Sequence, residues 1–278
     1  MLVSLHGGHS GQFCCHAENM LEDIVIQYIK LGFTHVGISE HIPPSCHEFV
    51  YDDERKLALD PQYLFSRFES YIAECARLKK KYKDRIKIFI GFETEAWFGY
   101  EDFVRNLIKK FRPDYIVGSV HHINNICFDY SLKHYEEAIS SAGGVEAFYV
   151  KYFDLQHAMI LSIKPQVIGH FDLIRIFDED YESRLNSAEI KKRIERNLDA
   201  IKEYDLILDY NQRSVLKGQK EPYPSKWILK KALSRGIKIV PGDDSHGVNQ
   251  VGYNIISAFK ILSNQNVILS ERIFDNFF

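Results

Sequence analysis

The 278-residue sequence lacks the features that mark membrane, secreted and nucleotide-binding proteins. It has no run of about 18 apolar residues, so we expect no transmembrane helix. No charged N-terminal stretch precedes a long apolar core, so we expect no signal peptide. No G-x-G-x-x-G or P-loop pattern predicts a nucleotide-binding fold. The net charge of −3 also lacks the positive excess of polynucleotide-binding proteins. We therefore expect a small-molecule substrate and neither a membrane nor a nucleic-acid partner.

Paired cysteines are missing as well. The five cysteines form an odd set without a C-x-x-C pair: Cys14, Cys15, Cys46, Cys75 and Cys127. This composition argues against a disulfide framework or a cysteine-based zinc site, and it favours the reducing environment of the cytoplasm. Because Cys14 and Cys15 are adjacent, their side chains point apart, and we assign neither of them a functional role.

What the sequence does contain is a regular alternation of strand and helix patterns. Short apolar runs predict strands at 2–6, 34–39, 86–91, 115–120, 166–170, 205–210 and 237–242. Apolar residues spaced by three and four predict helices at 18–32, 61–82, 186–204 and 224–236. The alternation predicts parallel βα units in one domain over residues 1–278, with a helical insertion at about 127–164. A closed or nearly closed barrel fits this pattern best, and an open doubly wound sheet is the alternative.

Side chains that can bind a metal follow nearly every predicted strand. They are His6, His9, His16, His41, Glu93, His121, His170, Asp244 and His246. In a parallel barrel all these positions lie on the C-terminal rim, where active sites form. One such histidine is more often a hydrogen-bonded loop residue, but this set holds seven of the 12 histidines in the chain. Imidazoles and carboxylates suit zinc, iron or manganese, and there are too many here for one tetrahedral ion. We therefore predict a multinuclear hydrolytic site.

The motifs that carry these residues resemble those of a known family. They are an H-x-H-like start followed by a third histidine, then S-E-H-x-P, G-F-E, G-S-V-H-H, G-H-F-D-L and D-D-S-H-G-V. Together they resemble the PHP phosphoesterases, and within that family they are most similar to the histidinol-phosphate phosphatases, especially the fungal ones. The match runs from the N-terminus to about Gly252. The resemblance implies an α/β fold, a distorted (β/α)7 TIM-like barrel whose active site lies at the C-terminal rim of the strands.

The resemblance also implies three divalent metal ions, with zinc favoured and iron or manganese as alternatives. By position, one ion would take His6, His9, Glu93 and Asp244. A second would share Glu93 and add His121 and His170, and a third would take His16, His41 and His246. Asp244 is preferred over Asp243 because it lies two residues before His246, and residues spaced by two in an extended chain lie on the same face. By the same rule His122 points away from His121, and Glu40 and Glu95 are expected to support the ligands.

The activity that the resemblance implies is hydrolysis of L-histidinol phosphate in histidine biosynthesis, with Glu93, Asp244 and His246 as catalytic residues. No serine or cysteine nucleophile motif appears, which agrees with attack by metal-activated water. Substrate contacts are expected from Arg175 on the phosphate and Asp172 on the amino group. Leu216 occupies the position where the family has a second arginine, so Arg213 or Lys217 would replace it. The alternatives are a phosphoesterase for another small phosphate monoester and a catalytically impaired PHP-fold protein.

The stretch 6-HGGH-9 departs from the H-x-H spacing of the family. Residues three apart in a regular strand face opposite sides, so His6 and His9 could not reach the same ion. Glycine readily adopts positive φ, and a bulge adds one residue while restoring the facing of those before it. We therefore predict a bulge at Gly7–Gly8 that brings His6 and His9 onto one metal. The alternative is that His6 faces away and the metal is weakly held.

Overall fold

Parallel strands form the centre of the molecule in the computed structural model, which describes residues 1–265 and 271–278. The strands of the main sheet are β1 (Val3–Ser4), β2 (His35–His41), β3 (Lys87–Glu93), β4 (Val117–Gly118), β7 (Val167–Ile168), β8 (Ile207–Asn211) and β9 (Lys238–Gly242). A separate antiparallel hairpin consists of β5 (His122–Ile123) and β6 (Ile126–Cys127). The main sheet has the order β1-β2-β3-β4-β7-β8-β9, and all its neighbours are parallel. Each of the seven predicted strands overlaps one of these strands, although β2, β3 and β8 extend one or two residues beyond the predicted ends.

The sheet curls until its two edges meet. The backbone N–H of Asp244, just beyond β9, donates to the carbonyl of His6, just beyond β1, at 2.8 Å. The N–H of Asp243 donates to the hydroxyl of Ser4 at 3.2 Å. The distorted, nearly closed barrel is therefore confirmed, and the open doubly wound sheet is wrong. The distortion is visible in the pairing, since β2 and β3 pair over seven residues whereas β4 and β7 pair over two.

Helices surround this barrel. They are α1 (Leu21–Lys30), α2 (Asp52–Lys56), α3 (Pro61–Lys81), α4 (Tyr100–Phe111), α5 (Leu132–Ala142), α6 (Val145–Ile163), α7 (Tyr181–Leu185), α8 (Ala188–Glu203), α9 (Arg213–Leu216), α10 (Lys226–Ser234) and α11 (Ile255–Asn264). Short 3-10 helices lie at His47–Phe49, Leu173–Arg175 and Glu271–Phe274. The longest, α3, starts as its sequence predicts, because Pro61 occupies the first turn and Asp60 accepts the N–H of Tyr63 at 2.7 Å.

Two features of the flanking helices bear on the predictions. The segment predicted as a helical insertion contains the adjacent helices α5 and α6. Among the described residues, no helix is both long and apolar enough to cross a membrane.

The N-terminal end of the barrel is filled by aromatic side chains. Tyr115 lies inside the barrel, and its hydroxyl donates to the carbonyl of Leu5 at 2.9 Å. A Cβ at Gly91 would stand 2.4 Å from the Tyr115 ring, so this position has no room for a larger residue. The ring of Phe277 stacks on Tyr115 with centroids 5.1 Å apart, and Phe274 packs on Phe89 at 4.5 Å. Any chemistry must therefore take place at the opposite, C-terminal end.

Candidate metal centre and active-site cavity

Glu93 lies at the middle of the predicted ligands, at the end of β3, and is almost fully buried. Its Oε1 stands 3.0 Å from Nε2 of His170 and 3.1 Å from Nε2 of His121. Its Oε2 stands 3.2 Å from Nε2 of His6 and 3.7 Å from Nε2 of His9. Burial alone would raise the pKa of Glu93, but the surrounding histidines lower it well below its usual range. Nδ1 of His41 also stands 3.6 Å from Oε2. The carboxylate is thus ionised, and its two oxygens face different sets of imidazoles.

The distances between these groups fit metal coordination. Ligand atoms around a tetrahedral zinc with bonds of 2.0–2.1 Å stand roughly 3.3 Å apart. The separations to Glu93 bracket this value, and Nε2 of His9 stands 3.5 Å from Oδ1 of Asp244. The Nε2 atoms of His6 and His9 are buried and have no hydrogen-bond partner, which is costly unless a cation binds there. The residues present therefore fit divalent metal ions.

The two glycines between His6 and His9 let both rings face the same side. Gly7 and Gly8 have φ of 148° and 78°, values that suit glycine alone among common residues. Both rings then face Glu93, His9 also faces Asp244, and His6, His9 and Asp244 form one group of closely spaced ligand atoms. The glycines lie beyond the paired part of β1, which ends at Ser4, and the carbonyl of Gly7 accepts the N–H of Ser39 at 3.1 Å. The predicted shared facing of His6 and His9 is present.

Carboxylates hold four of the histidines by their other ring nitrogen. The Nδ1–carboxylate pairs are His6–Asp209 at 2.7 Å, His9–Glu40 at 3.0 Å, His41–Glu95 at 2.7 Å and His121–Asp129 at 2.9 Å. A proton on Nδ1 leaves the Nε2 lone pair free for a metal and fixes the ring orientation. Glu40 and Glu95 therefore have the supporting position expected of them.

Asp209 and Asp129 were missed by the sequence analysis. Asp209 precedes Asn211 by two residues on the same face of β8, a signal that could have been used. For Asp129, inside the insertion, the sequence gives no comparable sign.

A further group of ligand atoms lies beside Glu93 and the group formed by His6, His9 and Asp244. It consists of His9, His41 and His246, and the ring centroids of His9 and His246 are 4.3 Å apart. The predicted ligand His16 stands next to this group, with its ring 5.3 Å from both His41 and His246. Burial, together with the nearby His41, lowers the pKa of His16 to about 3. His16 is therefore neutral at pH 7 and keeps a lone pair available for coordination.

The two aspartates in 243-DDSH-246 have different surroundings. Asp244 faces His9, and nearby cationic groups outweigh burial to lower its pKa to about 2. Asp243 lies behind it and accepts hydrogen bonds from Ser4 Oγ at 2.8 Å and Tyr28 Oη at 2.9 Å. His122 likewise faces Glu95 instead of the cluster, with 3.4 Å between Nδ1 and Oε2. The alternation of side chains along an extended segment thus correctly predicts that Asp244 faces the ligand cluster while Asp243 and His122 face away from it.

The cluster forms the floor of a cavity of about 240 Å³. The remaining walls combine cations, a carboxylate, aromatic rings and aliphatic groups: Arg213, Lys217, Asp129, Tyr51, Tyr130, Tyr223, Leu173 and Ile176. The hydroxyl of Tyr51 donates to Oε1 of Glu95 at 2.7 Å, which fixes this ring above the metal ligands. The cavity therefore has room for a small molecule with one anionic end and one largely apolar end.

Arg175 is not among the residues that line this cavity, so its contact with a substrate phosphate stays a prediction. It is only 2% exposed, and its Nη2 donates to the carbonyls of Glu221 and Pro222 at 3.0 and 2.7 Å. Its Nε donates to Asp172 at 3.1 Å, and its guanidinium lies 4.3 Å from the centre of the Tyr223 ring. Arg175 therefore holds the loop before α10 against the barrel.

Asp172 is likewise not among the residues that line the cavity, and its contact with a substrate amino group stays a prediction. This residue is fully buried, and besides Arg175 it accepts the N–H of Ser225 at 2.9 Å. Both of its contacts serve the same loop.

Comparison with known proteins identifies the architecture. A family model described as the PHP domain matches residues 6–213, which is more than half of the chain. The chain belongs to the PHP family. A protein of Schizosaccharomyces pombe assigned as a histidinol-phosphatase is 38% identical over 258 residues, covering 91% of this chain and 83% of that protein. The histidinol-phosphatase of Saccharomyces cerevisiae is 30% identical, with coverages of 89% and 84%.

Solved structures agree with this PHP assignment. A protein of Listeria monocytogenes assigned as a histidinol phosphatase superposes with a TM-score of 0.80 and 28% identity, covering 92% of this chain and 99% of the other. The histidinol phosphate phosphatase of Lactococcus lactis, solved with zinc, L-histidinol and phosphate, gives a TM-score of 0.69 at 19% identity, covering 96% and 94%. The latter likeness concerns the fold. The site of this PHP protein binds metal ions, as its clustered histidines and carboxylates require.

Two cations lie near Leu216, the position where the resemblance leads us to expect an arginine. Arg213 and Lys217 both line the cavity of this PHP protein. The two are four residues apart in and just after α9, so they lie on the same helical face. Arg213 also donates to Oε1 of Gln250, which accepts the N–H of His246 at 3.0 Å. The cavity therefore keeps two cations near the metal ligands without an arginine at 216.

Proposed function

We propose that this chain is a histidinol-phosphatase, which hydrolyses L-histidinol phosphate to L-histidinol and phosphate in histidine biosynthesis. The observation that carries the proposal is the set of histidines and carboxylates converging on Glu93 at the floor of a cavity with two cations on its wall. A phosphate monoester is an anion that fits such a floor, and the uncharged imidazole end of histidinol suits the aromatic and aliphatic walls. The relatives at 38% and 30% identity support the same substrate.

Rates on several phosphate monoesters test this proposal. The purified, metal-loaded protein should release phosphate from histidinol phosphate much faster than from AMP or glucose 6-phosphate. Comparable rates on all three would support the alternative of a general phosphoesterase. Absence of hydrolysis from a protein with its full metal content would support the catalytically impaired alternative.

We propose three divalent ions, with zinc first and iron or manganese as alternatives. The first would be held by His6, His9, Glu93 and Asp244, the second by Glu93, His121 and His170, and the third by His16, His41 and His246. The nitrogen-rich donor set is the support for zinc, because imidazole suits this ion and hard oxygen donors are few. Glu93 can serve two ions because its two oxygens face different imidazole pairs.

Metal analysis should find about three ions per chain in protein purified without chelators. The physical reason is that the buried Nε2 atoms of His6 and His9 have no hydrogen-bond partner without an ion, and that the remaining ligands are too many for one ion. Elemental analysis by mass spectrometry, with protein concentration from amino-acid analysis, gives the number. One ion per chain or fewer in folded protein would contradict the assignment.

The side chains divide the chemical work between them. Divalent ions at such a site supply charge neutralisation for a phosphate dianion and lower the pKa of coordinated water to about 7. Glu93 fixes the two flanking histidine pairs relative to each other, and the Nδ1-bound carboxylates keep the rings oriented. Arg213 and Lys217 are placed to neutralise phosphate oxygens from the side. The rings of Tyr51 and Tyr130 are placed to exclude water from the leaving alcohol.

Lys217→Met should raise the KM for histidinol phosphate about tenfold, since loss of one charged hydrogen bond costs about 1.5–3 kcal/mol. The metal content should stay unchanged, because the lysine is not a ligand. The matched control is Lys220→Met, an exposed lysine in the same segment that does not line the cavity. Steady-state kinetics of the three proteins measure the effect. Equal KM values would remove Lys217 from the substrate site.

A further inference from the structure

Asn211 occupies the last position of β8, directly between the metal ligands and α9. It is fully buried, and each side-chain polar atom has a partner. Its Nδ2 donates to Oδ2 of Asp209 at 2.9 Å and to Oδ2 of Asp244 at 3.2 Å. Its Oδ1 accepts the N–H of Arg213 at 2.9 Å. One amide therefore contacts two carboxylates on one side and the first residue of α9 on the other.

The NH2 group of this amide reduces the repulsion between two neighbouring carboxylates. Asp209 and Asp244 are both buried carboxylates, and a shared neutral donor holds them together without adding charge. Asp209 in turn accepts the Nδ1 proton of His6 at 2.7 Å. Because Oδ2 of Asp244 is bound by the amide, Oδ1 is the oxygen that faces His9, at 3.5 Å from its Nε2. The amide thus decides which oxygen of Asp244 is presented to a metal.

The acceptor half acts on the cationic wall of the cavity. A side-chain oxygen that accepts the N–H two residues later fixes the local turn. Here that turn leads into α9, which carries Arg213 at its start and is followed by Lys217. The backbone around it is also held, because Asn211 and Tyr223 exchange both of their N–H···O bonds, at 2.7 and 3.0 Å. The orientation of the Arg213 and Lys217 side chains therefore depends on Asn211, which also orients Asp244.

We propose that Asn211 is a positioning residue that ties the metal ligand Asp244 to the cationic segment Arg213–Lys217, so that metals and phosphate-binding cations keep a fixed relation. The part concerning the cations rests on the proposed function, whereas the part concerning the metals does not. Asparagine suits the position because it offers two donors and one acceptor without charge. An aspartate would place a third carboxylate beside Asp209 and Asp244, and a leucine would remove the donor that these two carboxylates share.

Two uncharged variants separate the two halves of the amide. Asn211→Ala removes both, whereas Asn211→Ser keeps an acceptor for the N–H of Arg213 in a serine-type turn but cannot donate to two carboxylates. Both variants should release metal to an excess of the chelator 4-(2-pyridylazo)resorcinol at least about tenfold faster than wild type, the usual effect of losing an outer partner of a ligand. At saturating zinc, only Asn211→Ala should also raise the KM for 4-nitrophenyl phosphate.

The matched control is Asn197→Ala. Asn197 is another fully buried asparagine, whose amide joins α8 to α6 by donating to Phe153 O at 2.8 Å and Gln156 Oε1 at 3.1 Å. It should lower thermal stability but leave metal release and KM at wild-type values. Metal release from both Asn211 variants at the wild-type or Asn197→Ala rate would overturn the role at Asp244. A KM that rises equally in Asn211→Ala and Asn211→Ser would overturn the tie to α9.

The metal-release outcome is independent of the substrate assignment, whereas the KM outcome requires phosphatase activity. If wild-type protein fails to hydrolyse histidinol phosphate, the proposed function fails while the metal-release comparison still decides the role of Asn211. Should Asn211→Ala not fold, the comparison of Asn211→Ser with wild type retains the metal test, because serine leaves the turn intact. Circular dichroism at the assay temperature establishes which variants are folded.

Discussion

Glu93→Ala should reduce the hydrolysis of histidinol phosphate by at least about 10³-fold. The loss of one preorganised charge contact at a reacting centre already costs 10²–10³-fold. Glu93 faces four imidazoles at once, with Nε2 distances from 3.0 to 3.7 Å. Its removal takes a shared ligand from two proposed ions and leaves the histidines without the carboxylate around which they are arranged. The expected result is therefore a loss of both rate and bound metal.

The measurement combines phosphate release with metal analysis of the same preparation. Glu48→Ala is a suitable control, since Glu48 is an exposed carboxylate outside the cavity, hydrogen-bonded to Asn125 at 3.1 Å. It should retain full metal content and near wild-type rates. A Glu93→Ala protein that keeps three ions and a substantial rate would show that the carboxylate is not a bridge, and the mechanism would have to be abandoned.

Arg175→Ala should lower the free energy of unfolding by about 3–5 kcal/mol, because breaking a buried ion pair leaves an uncompensated buried charge. Asp172, its partner at 3.1 Å, is fully buried, and burial raises the pKa of this carboxyl above its ordinary value. The variant also loses the donors to the carbonyls of Glu221 and Pro222. Urea unfolding followed by circular dichroism gives the change.

The double variant Arg175→Met/Asp172→Asn is the informative comparison. It removes both charges, so its loss of stability should be smaller than the sum of the two single losses. Arg213 supplies the contrast, since it lines the cavity and its replacement should act mainly on KM. An Arg175→Ala protein of unchanged stability and strongly raised KM would show that the guanidinium reaches the substrate after all.

The barrel could be predicted because burial leaves a clear trace in the sequence. Strands buried on both sides read as apolar runs, and the helices between them carry periodic apolar faces with recognisable starts. The length of the paired segments could not be read in the same way. The run 115–120 looks like a six-residue strand, yet only Val117–Gly118 pairs in β4. Apolar runs report burial, whereas ladder pairing depends on how neighbouring strands curve away from each other.

The metal ligands could be predicted from local sequence patterns, whereas the contacts between residues far apart in sequence could not. The ligands could be predicted because each follows a strand, and parallel strands bring their ends together whatever the details. The protein contacts of Arg175 could not be predicted, because its nearness in sequence to His170 does not fix the direction of a side chain in a 3-10 turn. The pairing of His6 with Asp209 joins residues 203 positions apart, and that of His121 with Asp129 depends on the shape of the insertion. Such contacts follow from the folded arrangement and have no signature of their own.

The contact that joins the two edges of the sheet also sets an order of events during synthesis. The carbonyl of His6 accepts the N–H of Asp244 at 2.8 Å, so the start of the barrel is completed by residues that the ribosome adds more than 230 positions later. Until then β1 lacks one of its neighbours, and His6 and His9 lack the carboxylate of Asp244. A nascent chain can form the β2–β3 pair early, but it cannot assemble the full ligand set before β9 has emerged. The complete ligand set therefore forms only after β9 has been synthesised, whatever the order of the earlier steps.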